Sequence, residues 1–184
     1  AQADAEILPR TKLTLGVRYT SDTRELDGTA QLIAPSGATT TFGPFNGKET
    51  FSSLTGRFSL DHKFSDNLMG YVAFNRGFKS GVYNIAGITV GTAALAAPVK
   101  PEDLNAYTIG FKSELFDRKV RFNVEGYYYD YKNIQVQNVI PGGTILTNGG
   151  AATIKGVEAE LTLAPVENLQ LSIAGSYNHG RYGE

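Results

Sequence analysis

The stretch LTGRFSLDHKFSDNLMGYVAF (Leu54–Phe74) decides the fold, because its side chains alternate between two classes. Apolar residues or glycine occupy nearly every second position up to Phe64, and mainly polar residues lie between them. The polar triplet 65–67 follows, and the alternation resumes at Leu68. A period of two is typical of a β-strand with one apolar face, and short polar segments are typical of tight turns. The stretch therefore predicts two antiparallel strands joined at Asp66.

The same alternation recurs along the chain, whereas no segment has a convincing helical period. Seven strands are predicted, at 12–19, 54–64, 68–74, 106–115, 120–128, 157–163 and 169–177. Around the turns apolar residues face apolar ones, as in the pairs Leu60–Val72 and Phe58–Phe74, while Glu114 lies opposite Arg121. The predicted fold class is all-β: an antiparallel up-and-down meander of about seven long strands.

The connections between these strands alternate in length. Short turns are predicted at 65–67, 117–118 and 164–168, and long connections at 22–50, 79–103 and 138–150. Outer-membrane barrels have short periplasmic turns and long extracellular loops, and their strands are longer than those of typical soluble sheets. In a barrel of this kind lipid covers the apolar face, whereas in a soluble sandwich that face would be the core.

Composition narrows the function classes. The 184 residues carry a formal net charge of −1 and no cysteine. A near-zero charge argues against a nucleic-acid partner, and the absence of cysteine excludes disulfides and Cys-based zinc sites. The uncharged stretch Ser80–Val99 contains too many glycines and a proline to suit a transmembrane helix, so a long loop is predicted there.

Several segments resemble barrel strands of TonB-dependent outer-membrane receptors, and they occur in a consistent order along the chain. They are Leu13–Thr20, Phe64–Gly81, Lys100–Phe116, Tyr127–Gln135 and Asn148–Glu160. The resemblance implies a 22-stranded transmembrane β-barrel whose lumen is closed by a separate N-terminal plug domain. It also implies a location in the outer membrane of a Gram-negative bacterium.

The chain departs from that family in ways that predict a partial domain. About eight strands make the smallest filled barrel, so seven cannot close a receptor of this type. No plug domain and no TonB-contacting segment, or TonB box, is visible, and the chain ends at Glu184 without a terminal aromatic residue. Residues 1–184 are therefore expected to be a partial barrel domain, with the plug and the remaining strands absent.

The function implied by the resemblance is transport without reaction chemistry. The expected role is TonB-dependent uptake of a scarce solute such as an iron–siderophore complex, with no catalytic residues, no cofactor and no metal site. The expected partners are outer-membrane lipid, a small-molecule ligand and, only through the missing plug, the TonB complex. A passive porin-like channel and a soluble β-sheet adhesin or ligand-binding module are the alternatives.

The candidate ligand-binding residues lie toward the long-loop rim. One set follows the strand at 68–74 outward, and three tyrosines share the polar face of another strand: Arg76, Lys79, Tyr83, Asn84, Tyr127, Tyr129 and Tyr131. Cations and aromatic rings facing a wet cavity could hold an anionic, ring-bearing ligand such as a ferric chelate. The alternative interpretation is that the cations are rim charges and that the tyrosines form a girdle or pack against the plug.

Other polar residues favour structural roles. Glu158 and Glu160 share a face, because residues two apart in a strand do. A solvated lumen wall is favoured for them over a paired-carboxylate acid–base site. His62 lies on the apolar-face parity close to a short turn, which predicts an interfacial position.

Overall fold

One continuous antiparallel sheet dominates the computed structural model, which describes residues 1–84, 97–140 and 143–183. The strands in chain order are β1 (Gln2–Leu8), β2 (Thr11–Ile33), β3 (Thr39–Ser65), β4 (Leu68–Lys79), β5 (Val82–Tyr83), β6 (Pro98–Val99), β7 (Glu102–Leu115), β8 (Val120–Lys132), β9 (Gln135–Ile140), β10 (Gly143–Asn148), β11 (Ala152–Val166) and β12 (Leu169–Tyr182). Eight of them form the main sheet in the order β1-β2-β3-β4-β7-β8-β11-β12, and β5–β6 and β9–β10 form two separate pairs. The predicted all-β meander is confirmed.

The register follows the alternation read from the sequence. Leu60 lies opposite Val72 and Phe58 lies opposite Phe74. Glu114 lies opposite Arg121, and the Glu114 Oε1 and Arg121 Nη2 atoms are 3.2 Å apart. The chain turns at 66–67 and 116–119, where two of the short connections were predicted.

Three features differ from the sequence prediction. The main sheet has eight strands rather than seven, because residues 2–8 form β1 and pair with β2. The predicted connection at 22–50 is mostly strand, since β2 and β3 stay paired from Thr11–His62 to Ile33–Thr39. The predicted connection at 138–150 contains most of the β9–β10 hairpin. Residues 2–8 carry alanine at two of their apolar positions, and the apolar residues of 22–50 and 138–150 are scattered among polar residues, glycines and prolines. The period of two is therefore weak in these segments, although their backbone groups pair.

The main sheet has two unlike faces, because residues paired across antiparallel strands lie on the same side. The face called here the apolar face carries large exposed side chains: Leu15, Val17, Leu54, Phe58, Val72, Tyr107, Ile109, Phe122, Tyr128, Val157, Leu171, Ile173 and Tyr177. Among the described residues no large side chain is fully buried, so no second layer covers this face. The opposite side, called the polar face, carries mainly charged residues, tyrosines and small residues. No helix in the described ranges is long and apolar enough to cross a membrane.

Candidate functional site

The tyrosines predicted on one face of β8 do share the polar face. In the register, Tyr127 lies opposite Thr108 and Tyr129 opposite Ala106, both small neighbours on β7. The Tyr127 and Tyr129 rings stack with centroids 4.8 Å apart and an interplanar angle of 27°. Tyr131 continues the same side toward the long loops. The three side chains form a polar-face tyrosine ladder at the long-loop end of the sheet.

A glycine makes room for the start of this ladder. A Cβ at Gly156 on β11 would lie 2.5 Å from the Tyr127 hydroxyl, closer than real Cβ contacts allow. Gly156 is paired directly with Tyr127, so the missing side chain lets the phenol lie across β11. The orientation of Tyr127 therefore depends on a residue that the sequence pattern alone marks only as small.

Three carboxylates lie below the ladder, nearer the short turns. Glu125 on β8 is directly opposite Glu158 on β11, and Glu160 follows two residues further along β11 on the same face. A polar-face hollow of about 550 Å³ is lined by these residues together with Tyr71 and Lys112. No ion pair within 4.0 Å involves any of the three carboxylates in the part of the chain that the structure describes. The placement on the polar face matches the lumen-wall interpretation of Glu158 and Glu160.

Tyr71 connects this carboxylate group to β4. Its hydroxyl donates a hydrogen bond to Glu125 Oε2, two strands away. The phenol passes over Gly110 on the intervening strand β7, where any side chain would overlap the Tyr71 ring. The Lys112 Nζ lies 5.5 Å from the centre of that ring, within range of a cation–π interaction. Tyr71, which the sequence analysis did not select, is thus a central residue of this polar surface.

Arg76 does not join the tyrosines, and its grouping with them is corrected. It lies opposite Gly56 and Asn105, on the same side of β4 as Val72 and Phe74, which is the apolar face. Its Nη2 atom is 3.6 Å from Asp103 Oδ1 at the strand end. The reason is the period of two: an even-numbered residue of β4 cannot face the same way as Tyr71.

The other three residues predicted along this connection have different placements. Lys79 ends β4 on the polar-face parity, opposite Glu102. Tyr83 packs on β3, where a Cβ at Gly47 would lie 2.7 Å from its hydroxyl. Asn84 is buried, and its Nδ2 atom donates a hydrogen bond of 2.8 Å to the Leu146 carbonyl in β10. Tyr83 and Asn84 therefore tie loop segments together.

Two residues missed by the sequence analysis complete this arrangement. The buried Gln135 side chain donates through Nε2 to the carbonyls of Ser80 and Lys100, at 3.0 and 3.1 Å. Asn148 Nδ2 donates to the carbonyls of Lys100 and Asn133, at 3.0 and 2.8 Å, while its Oδ1 accepts from the Lys100 amide at 2.9 Å. We call Ser80, Asn84, Lys100, Gln135 and Asn148 the loop junction. Gln135 and Asn148 lie at the ends of the segments Tyr127–Gln135 and Asn148–Glu160, but nothing in those segments marks their side chains, so only the folded chain shows the role of these two residues.

His62 lies where it was predicted, on the apolar face near a short turn. Its Nδ1 atom is 2.8 Å from the Thr11 hydroxyl, and the Phe64 ring meets its imidazole edge-on at 4.8 Å. No group of three or more histidine, aspartate or glutamate residues could hold a metal ion within residues 1–84, 97–140 and 143–183.

Comparisons with known proteins agree with this architecture. The family model described as "TonB dependent receptor-like, beta-barrel" matches residues 1–184. The chain is similar to the ferric yersiniabactin uptake receptor FyuA from Yersinia pestis, with 23% identity and a TM-score of 0.76 over 99% of this chain and 26% of that one. It is also similar to the copper transporter OprC, with 15% identity and a TM-score of 0.76 over 98% of this chain and 29% of that one.

A third solved structure shows the same likeness. The siderophore receptor PirA from Pseudomonas aeruginosa is 16% identical, with a TM-score of 0.64 over 98% of this chain and 33% of that one. The chain thus spans about a quarter to a third of the length of these three structures. At these identities the likeness concerns the fold.

Proposed function

Because the chain belongs to the TonB-dependent receptor-like β-barrel family, we propose that residues 1–184 are part of the wall of an outer-membrane receptor. In this proposal the apolar face contacts lipid and the polar face lines the lumen. The receptor takes up a scarce solute, such as an iron–siderophore complex, in a TonB-dependent manner. The family consists of transport receptors rather than enzymes, which supports a role in uptake without reaction chemistry.

The observation that carries the proposal is the position of the tyrosine ladder. Tyr127, Tyr129 and Tyr131 lie on the polar face at the long-loop end, which is the extracellular end in barrels of this kind. Stacked phenols offer flat apolar surface together with hydroxyl groups, and both suit a ring-bearing chelate. Lys79 lies on the same face parity at the end of β4 and supplies a cation at that level.

The carboxylates below the ladder limit how deep an anionic ligand would bind. Glu125, Glu158 and Glu160 place negative charge nearer the short turns, so an anion is repelled from that level. We therefore propose that the ligand binds at the tyrosine ladder, between the loops and the carboxylates. In this position the ligand contacts the tyrosines and stays clear of the carboxylates deeper in the lumen.

The test is uptake of radiolabelled iron by cells that produce the intact receptor, supplied with catecholate, hydroxamate and carboxylate siderophores in turn. Tyr129→Ala removes the stacked ring, and uptake at subsaturating ligand is expected to fall about three- to tenfold. Tyr128→Ala is the matched control, because Tyr128 is the neighbouring tyrosine on the apolar face. Its uptake is expected to stay at the parental level.

Two outcomes would contradict the proposal. Uptake that does not saturate and persists without the TonB complex would favour the porin-like channel instead. Equal effects of Tyr128→Ala and Tyr129→Ala on saturable uptake would remove the ladder from the binding site. Parental amounts of each variant in the outer membrane are verified first, so that a loss of protein is not mistaken for a loss of binding.

A further inference from the structure

The apolar face of the main sheet contains a groove. It crosses β3, β4, β7 and β8 near the short turns and has a volume of about 470 Å³. Its walls and floor are almost entirely apolar and include Phe64, Val72, Ile109, Phe111, Gly70 and Gly126. Five of these residues lie on the apolar face by register, and the ring of the sixth, Phe64, packs near His62 and Phe111 on that face.

Two glycines, on β4 and β8 with β7 between them, create the depth of the groove. Gly126 on β8 pairs with Ile109, and a Cβ there would lie 3.7 Å from the Ile109 Cγ2 atom. The position is therefore open to a side chain, yet it carries none. Gly70 on β4 lies under the Phe64 ring, whose Cε2 would be 3.0 Å from a Cβ. The rings of Phe64 and Phe111, with centroids 6.4 Å apart, stand above this floor.

The groove is polar at one end and apolar at the other. Its end nearest the short turns carries His62, which is hydrogen-bonded to Thr11, whereas the nearby Arg10 does not line the groove and pairs with Asp66 at 3.1 Å. The opposite end, toward the middle of the strands, is formed by Val72, Ile109 and Gly126. An amphiphile whose headgroup lies at the short-turn rim would match this gradient, since its chain would extend along the apolar end.

We propose that the groove binds one acyl chain of a membrane phospholipid, with the headgroup beside His62. This inference rests on the proposed placement of the apolar face against lipid, because the groove is continuous with that face. It goes further by assigning one preferred lipid position to a surface that otherwise contacts lipid without preference. Short turns are periplasmic in outer-membrane barrels, so the lipid belongs to the inner leaflet.

The experiment uses the intact receptor in vesicles that contain a minor fraction of brominated phosphatidylethanolamine, which quenches nearby tryptophan. The chain has no tryptophan of its own, so Phe111→Trp places a reporter in the groove and Ile173→Trp places one on the same face outside it. The parent receptor gives the baseline fluorescence. Quenching at position 111 is expected to exceed that at position 173 about fourfold, the ratio given by burying one further methylene.

Filling the groove should abolish the preference. Gly126→Leu is added to the Phe111→Trp receptor, and quenching is expected to fall to the level measured at position 173. Gly175→Leu is the control: it lies on the same face outside the groove, on β12, and a Cβ there meets no atom of the described residues within 4 Å. Val72→Phe is a second filling variant, which keeps the test decisive if Gly126→Leu does not assemble.

The outcomes separate the two proposals. Equal quenching at positions 111 and 173 would overturn the groove proposal while leaving the face in contact with lipid. A preference at position 111 that survives both filling variants would also overturn it. No quenching at either position would contradict the membrane placement itself, and with it the proposed function.

Discussion

The main sheet and the loop junction hold the chain together in different ways. In the main sheet each strand pairs with the strand beside it through backbone hydrogen bonds. Strands that are adjacent in the sheet also follow one another along the chain, except where β5–β6 and β9–β10 intervene. The loop junction instead joins segments far apart in sequence through side-chain amides. Gln135 reaches Ser80 across 55 positions, and Asn84 reaches Leu146 across 62.

This difference affects what each region tolerates. Where two main-sheet strands are paired, the backbone groups between them bond to each other, so a side chain matters mainly through its face and its volume. In the loop junction a single amide satisfies two carbonyls, and removing it leaves both without that donor. A disruptive substitution in the main sheet should therefore destabilise the whole sheet, whereas one in the loop junction should loosen only the loops.

The largest expected effect on stability is in the main sheet, at Gly110 of β7. Gly110→Val would place atoms where the Tyr71 ring lies, so that ring must move and its hydrogen bond to Glu125 is lost. Overpacking of this kind costs typically 1–3 kcal/mol, and we expect about 3 kcal/mol because a hydrogen bond is lost as well. The measurement is the denaturant midpoint of the intact receptor in lipid vesicles.

Gly77→Val is the control for this prediction, because Gly77 lies on the polar face of the inner strand β4 and a Cβ there meets nothing within 4 Å. Both changes place the same β-branched side chain in a strand, so a difference between them reports the overlap with Tyr71 rather than strand propensity. A destabilisation of equal size at the two positions would show that the Tyr71 crossing does not constrain the sheet.

The next effect is in the loop junction, at Gln135. Gln135→Ala removes the donor to the Ser80 and Lys100 carbonyls, and local opening is expected to become easier by about 2 kcal/mol. The rate of amide hydrogen exchange should rise in residues 80–84 and 98–102 but not in the paired strands of the main sheet. Gln137→Ala is the matched control, since Gln137 is exposed on the same strand. Faster exchange throughout β7 and β8 would contradict a local role.

The same comparison explains what could be predicted from the sequence. The alternation around Leu60 and Val72 predicts the register, the turn at Asp66 and the shared face of the three ladder tyrosines, because all of these follow from a period of two. The β1 strand was missed because its apolar positions include two alanines, which give a weak signal.

The candidate site was only partly predictable. Proximity along the chain suggested that Arg76 and Tyr83 act together, but strand parity sends Arg76 to the apolar face. The role of Gln135 could not be foreseen, since its partners are set by how the loops fold over one another. Gly110 and Gly156 are visible in the sequence, yet their importance depends on which tyrosine crosses them.

The smallest expected effect concerns a contact that the sequence did predict, the pair Glu114–Arg121. The side chains are exposed at the short-turn rim, and Glu114 also contacts Arg118 Nε at 3.3 Å through its other oxygen. Arg121→Gln should therefore lower the free energy of unfolding by only about 0.5 kcal/mol, because solvent screens the pair and Arg118 remains. A double-mutant cycle with Glu114→Gln, measured by denaturant unfolding in vesicles, isolates the pair, and Arg118→Gln is the matched control. A coupling energy well above 1 kcal/mol would mean that this rim is shielded from water. Cross-strand side-chain pairs would then contribute substantially to the stability of the main sheet, in addition to its backbone hydrogen bonds.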